Sequence, residues 1–137
     1  MILEERVIST ISLEDLHTHS STAKSLDDLL LICIDEVLSD LLGRRAKEAV
    51  YDHLERNCNL ARSEVPRHLN KFLGLLEETF GQGSKTIGRS IIRRLYDKLE
   101  WRFEVIPGYE FIDYLETIRN KIAKTLVDHA KINSNGR

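Results

Sequence analysis

This 137-residue chain has few residues that break or cross-link a backbone: two prolines, seven glycines and two cysteines. So little punctuation, beside many Leu, Ile, Glu, Lys and Arg, favours long helices. The cysteines, Cys33 and Cys58, form no Cys-x-x-Cys pair. Two reduced thiols in a reducing compartment are therefore the expectation. Long apolar runs are also missing. The longest, Leu29 to Ile34, is flanked by Asp27, Asp28, Asp35, Glu36 and Asp40 and is far short of the roughly 20 residues a membrane-spanning helix needs. The start lacks a basic stretch leading into an apolar one, so no signal peptide is expected and the chain reads as cytoplasmic.

What is present suits one globular domain. Hydrophobic residues make up 42% of the chain and charged residues 31%, enough apolar material for a core. The net charge is -2, but it is unevenly spread. Residues 1–42 hold nine acids against two bases; residues 43–102 hold thirteen bases against eight acids. An acidic front and a basic middle imply internal attraction, or a partner that reads one face.

Residues 1–24 read as an extended or partly disordered arm, or as one carrying a short helix over Leu13–Leu16. Val7, Ile11 and Leu13 fall on alternate positions, but a lone strand has no partner to pair with. The polar run His17-Thr-His-Ser-Ser-Thr reads as a linker by composition. The first helix is expected from Leu26 to Leu42, capped by Ser25, with Asp27 and Asp28 in its first turn. Leu26, Leu29, Leu30, Cys33, Ile34, Val37, Leu38 and Leu41 form its inner stripe, while Leu31, Ile32 and Leu42 are apolar beyond it.

Gly43 should break or bend this helix. A second helix from Arg45 to Asn57 turns Ala46, Ala49, Val50, His53 and Leu54 inward and stops at Asn57-Cys-Asn, since Asn tolerates the left-handed conformation. Pro66 suits the first turn of a third helix, with Leu69, Phe72, Leu73, Leu76 and Phe80 on one face. A fourth helix from Lys85 to Trp101 repeats Ile87, Ile91, Leu95 and Leu99 at four-residue spacing. Pro107-Gly108 is the strongest breaker. A last helix from Tyr109 to Lys131 carries a coiled-coil-like seam of Phe111, Leu115, Ile118 and Ile122, before a tail, residues 132–137, expected to be disordered.

Candidates for chemistry are few. His17 and His19 could share a metal, but two ligands are too few. His53, in Asp52-His-Leu-Glu-Arg-Asn, faintly resembles the phospho-acceptor helix of sensor kinases, but the following Leu54 breaks the pattern and a helix-face histidine explains it better. Gly81-Gln-Gly-Ser-Lys lacks phosphate-loop spacing and reads as a helix–helix turn. No catalytic, cofactor-binding or metal-binding residue is therefore nominated. The fourth helix is the most distinctive surface. Arg89, Arg93, Arg94, Lys98 and Arg102 form a basic stripe that could contact nucleic-acid phosphates, pair with the acidic front, or stay solvated.

The segments Leu42-Gly-x-x-Ala46, Ala49-Val-Tyr-Asp-His-Leu-Glu55, Phe72-Leu-Gly-Leu-Leu-Glu-Glu-Thr-Phe-Gly-Gln-Gly83 and Ile91-Ile-Arg-Arg-Leu-Tyr96 carry a resemblance over roughly residues 28–100. Together they resemble a family of small helical output domains of ammonia-oxidising archaea, often attached to two-component signalling modules. The resemblance implies a helical signalling module. It carries no catalytic residue onto this chain.

The expectation is thus an all-α, irregular or orthogonal bundle of about five helices, occupying residues 25–131. Its function is expected to be non-enzymatic: a signalling or regulatory interaction domain with a protein partner, a second copy being one candidate, and no membrane. Leu31, Ile32 and Leu42 are the nominated partner contacts. A nucleic-acid-binding regulator using the basic fourth helix is the alternative.

Overall fold

A computed structural model describes the backbone of residues 19–135 and the side chains of residues 25–127. The described residues are all-α: α1 (His19–Leu42), α2 (Arg44–Cys58), a 3-10 segment (Arg62–Arg67), α3 (Leu69–Phe80), α4 (Gly83–Lys98) and α5 (Phe111–Asn135). The described residues fall into two compact units: Leu26–Phe103 form one, and His19–Ser25 together with the segment from Glu104 belong to the other.

The first helix begins at His19, before the expected Ser25 cap. A cap residue favours a start without enforcing one, and nothing between Ser20 and Ser25 is a glycine or proline that would stop a helix. The linker reading of this stretch therefore holds for neither His19 nor Ser20 to Thr22. The rest of the expected arm, including Val7, Ile11, Leu13 and His17, lies outside the described residues. From Leu26 on, the inner stripe is buried, with Leu30, Cys33, Ile34 and Leu38 wholly enclosed. Leu41 is the exception, 50% exposed where the stripe runs out at the helix end.

Gly43 alone separates α1 from α2. Its φ of 88° is a conformation that side chains with a Cβ rarely take, while a Cβ there would meet open space. The need for glycine is therefore set by the backbone and not by crowding. The second helix buries Val50, Tyr51, Leu54 and, unexpectedly, Lys47; Ala49 and His53 face solvent instead. It ends on Asn59 in the left-handed conformation (φ 52°), as the Asn57-Cys-Asn sequence led us to expect. Pro66 lies in the 3-10 segment and not in α3, which starts at Leu69. Burial of Val65 and Pro66 outweighs the bias of a pre-proline residue toward extended geometry.

Helices α3 and α4 form the most extensive pair in this unit, burying Phe72 and Leu76 of one and Ile91, Ile92 and Leu95 of the other. The fourth helix closes in a Schellman motif. The Trp101 N–H donates to the Tyr96 carbonyl (2.9 Å) and the Glu100 N–H to that of Asp97 (3.0 Å), with Glu100 itself left-handed at φ 62° in the place glycine usually takes. In the second unit, α5 buries Phe111, Leu115, Ile118 and Ile122 as its seam predicts, with Tyr114 added. It continues to Asn135, beyond the expected end at Lys131 and into the residues expected to be disordered.

Candidate interaction surfaces

The exposed apolar side chains concentrate in one place. Seven large hydrophobic residues are exposed among the described residues, and four of them, Val105, Ile106, Tyr109 and Ile112, fall within residues 105–112. The backbone here is held in shape. Pro107-Gly108 makes a turn in which the Tyr109 N–H donates to the Ile106 carbonyl at 3.1 Å, with Gly108 at φ 84°, as a Pro-Gly type II turn requires. The Tyr114 hydroxyl, on a buried ring, accepts the Ile106 N–H at 2.9 Å. The Tyr109 ring packs edge-to-face on Tyr114 at 5.2 Å. The Asp113 carboxylate accepts the Glu110 N–H at 2.8 Å, the returning half of a capping box that fixes where α5 begins. These ties hold apolar groups at the surface. Sequence reasoning read this stretch as a breaker at Pro107-Gly108 followed by the start of the last helix at Tyr109; the helix begins at Phe111, and the signal for the apolar surface was the closely spaced apolar residues around Pro107-Gly108.

In the other unit, acids of α1 meet bases from three elements. Asp35 accepts from the Lys47 ammonium (3.3 Å), the Tyr51 hydroxyl (3.4 Å) and the Arg62 guanidinium. Arg62 also lies over the Tyr51 ring, 4.4 Å from its centroid. Burial, and then the adjacent Asp35 charge, push the Tyr51 hydroxyl pKa well above its usual value. Further along α1, Glu36 and Asp40 hold Arg94 at 3.2 and 2.8 Å, and Glu36 also holds Lys98 at 3.3 Å. Burial disfavours the Arg94 charge, but its hydrogen bonds to Asp40 and Glu36 outweigh that and raise its pKa.

The nominated basic stripe is therefore split. Arg94 and Lys98 pair with the acidic first helix, whereas Arg89, Arg93 and Arg102 remain exposed. Arg93 and Arg89 have no ion pair among the described residues, and the Arg93 guanidinium lies over the Phe103 ring at 5.1 Å. Beside it is an open groove of about 510 Å³, lined by Ser90, Arg93, Arg94 and Asp97 of α4 and by Trp101 and Phe103 after it. Tyr96 anchors this wall, edge-to-face with Trp101 at 6.1 Å and with Phe103 at 5.2 Å.

The nominated apolar contacts on α1 separate as well. Ile32 is 42% exposed, while Leu31 and Leu42 are half-buried. The remaining candidates are ordinary surface or turn features. His53 is exposed and accepts from the Asn57 amide at 3.0 Å. Gly81 and Gln82 form the α3–α4 turn and Gly83 to Lys85 open α4, with the Ser84 hydroxyl donating to the Gly81 carbonyl at 2.7 Å. Cys33 is buried and Cys58 half-buried, both free thiols. No cluster of three metal-ligating side chains occurs among the described residues, and no helix there is long and apolar enough to cross a membrane. No family model, curated protein or solved structure matches the chain.

Proposed function

We propose that this chain is a non-enzymatic regulatory interaction domain that meets a protein partner through apolar side chains held at its surface. The observation that supports this most directly is the pinned 105–112 segment. Its exposed Val105, Ile106, Tyr109 and Ile112 lie on or next to a backbone that Tyr114 and a Pro-Gly turn hold at Ile106 and Tyr109, and clustered exposed apolar groups mark interaction sites. A fixed surface loses little conformational freedom when it docks, so more of its apolar burial appears as affinity. The signalling role follows the resemblance to archaeal output domains, and the cytoplasmic setting follows the two free thiols, which suit a reducing compartment. A second copy of the chain is the first partner to test.

The test is solution mass by light scattering across a concentration series, for the wild type and for a Val105→Asp, Ile112→Asp double variant. Both positions are exposed, so the helical circular dichroism should be unchanged. Self-association that the double variant loses supports the reading. A monomer at every concentration removes the self-association part of it. Turnover of a small molecule that a single substitution abolishes removes the reading itself.

A further inference from the structure

We infer that the groove beside α4 binds a peptide segment in which an acidic residue adjoins an apolar one. The inference builds on the interaction-domain reading and names the chemistry of a second contact. Arg93 supplies the positive charge. Its guanidinium is exposed, has no carboxylate partner among the described residues, and is steadied over Phe103 at 5.1 Å. A guanidinium held in this way presents a planar fork that matches a carboxylate. Arg89, one helical turn earlier, is also exposed and unpaired among the described residues, and extends the positive strip.

The rest of the lining complements a peptide and not a polyphosphate. Trp101 and Phe103, both half-buried, give an aromatic wall for an apolar side chain. The Ser90 hydroxyl and the Asp97 carboxylate suit a peptide carbonyl and a peptide N–H. The volume of about 510 Å³ lies in the range of roughly 300–1,000 Å³ typical of ligand clefts. Nucleic acid fits less well. Arg94 is already engaged by Glu36 and Asp40, and Asp97 lines the groove itself, so a chain of phosphates would meet carboxylates where it needs cations.

The experiment pans the full chain against a random peptide library displayed on phage, then measures selected synthetic peptides by fluorescence of Trp101, the chain's single tryptophan. Selected peptides should be rich in Asp or Glu next to Leu, Phe or Trp and should shift the Trp101 emission. Arg93→Glu should weaken them by about tenfold or more, and Arg93→Lys by less, since lysine keeps the charge but loses the fork. Peptides that bind Arg93→Glu as well as wild type would overturn the groove assignment while leaving the interaction-domain reading intact. An empty selection overturns the groove assignment too, whatever the mass measurement shows. Tighter quenching by a short oligodeoxythymidine than by any selected peptide would transfer the groove to nucleic acid.

Discussion

The Lys47 ammonium sits 3.3 Å from the Asp35 carboxylate with only 11% of the lysine side chain exposed. Asp35 is the shared acceptor for Lys47, Tyr51 and Arg62, so α1, α2 and the 3-10 segment are tied at one carboxylate. Removing one member of such a set leaves the others partly desolvated without full compensation. Asp35→Asn should therefore cost about 2 kcal/mol, and Lys47→Ala about 1–2 kcal/mol. Lys47→Met, which keeps the packed stem, should cost less than Lys47→Ala. Urea denaturation of the three variants checks the order; equal stabilities would show that the hub contributes packing only.

The inner stripe of α1 supplies a second contrast. Leu30 is fully enclosed and Leu41 is 50% exposed, although both belong to the same helical periodicity. Leu30→Ala should cost about 2–5 kcal/mol through lost burial and a cavity. Leu41→Ala should change stability by about 0.5 kcal/mol or less. Thermal or chemical melts of the two variants side by side measure the difference.

That pair also shows where the sequence speaks and where it stops. Periodicity placed Leu26 to Leu38, the α4 residues Ile87, Ile91 and Leu95, and the seam from Phe111 to Ile122 in the core, because apolar side chains at helical spacing must share a face. It could not say that Leu41 lies past the end of that core, since exposure at a helix end depends on what packs there. It placed Val50 and Leu54 of α2 correctly but also turned Ala49 and His53 inward, and it missed Lys47 and Tyr51, which are buried. A lysine goes inside only when a partner from a distant segment is waiting, here Asp35 twelve residues earlier, and pattern reading does not see such partners. The same limit explains the basic stripe. Its charges were legible, but the capture of Arg94 by Glu36 and Asp40, from 58 and 54 residues away, was not. The pinned apolar loop at 105–112 escaped because Pro107-Gly108 signals a turn and says nothing about what the turn displays.

Glu100 offers a stabilising change. It holds the left-handed position of the Schellman motif at φ 62°, where a side chain strains against the backbone. Its N–H donates to the Asp97 carbonyl, a bond glycine keeps. Glu100→Gly should therefore raise stability by about 0.5–1 kcal/mol, and Glu100→Ala should not, because alanine retains the Cβ. A raised melting temperature for the glycine variant alone is the expected result.

Cys33 makes the alkaline limit of the fold testable. Its thiol is buried, and burial pushes its pKa from the usual 9.0 to about 12. In the unfolded chain the thiol ionises near 9, so between about pH 9 and 12 the native state binds the proton that the unfolded state has lost. Stability must then fall as pH rises through that window, by about 1.4 kcal/mol per pH unit for a fully uncoupled group. Tyr51, raised in the same direction by burial and Asp35, extends the loss to higher pH. Cys33→Ala should lower stability near neutral pH through the lost packing, yet flatten its decline above pH 9. The same burial keeps the native thiolate scarce and out of reach, so iodoacetamide should label half-buried Cys58 first and Cys33 only as the chain unfolds. Intact-mass analysis at rising pH reads both effects together, and labelling of Cys33 in the folded protein at neutral pH would show that the site opens far more readily than its packing implies.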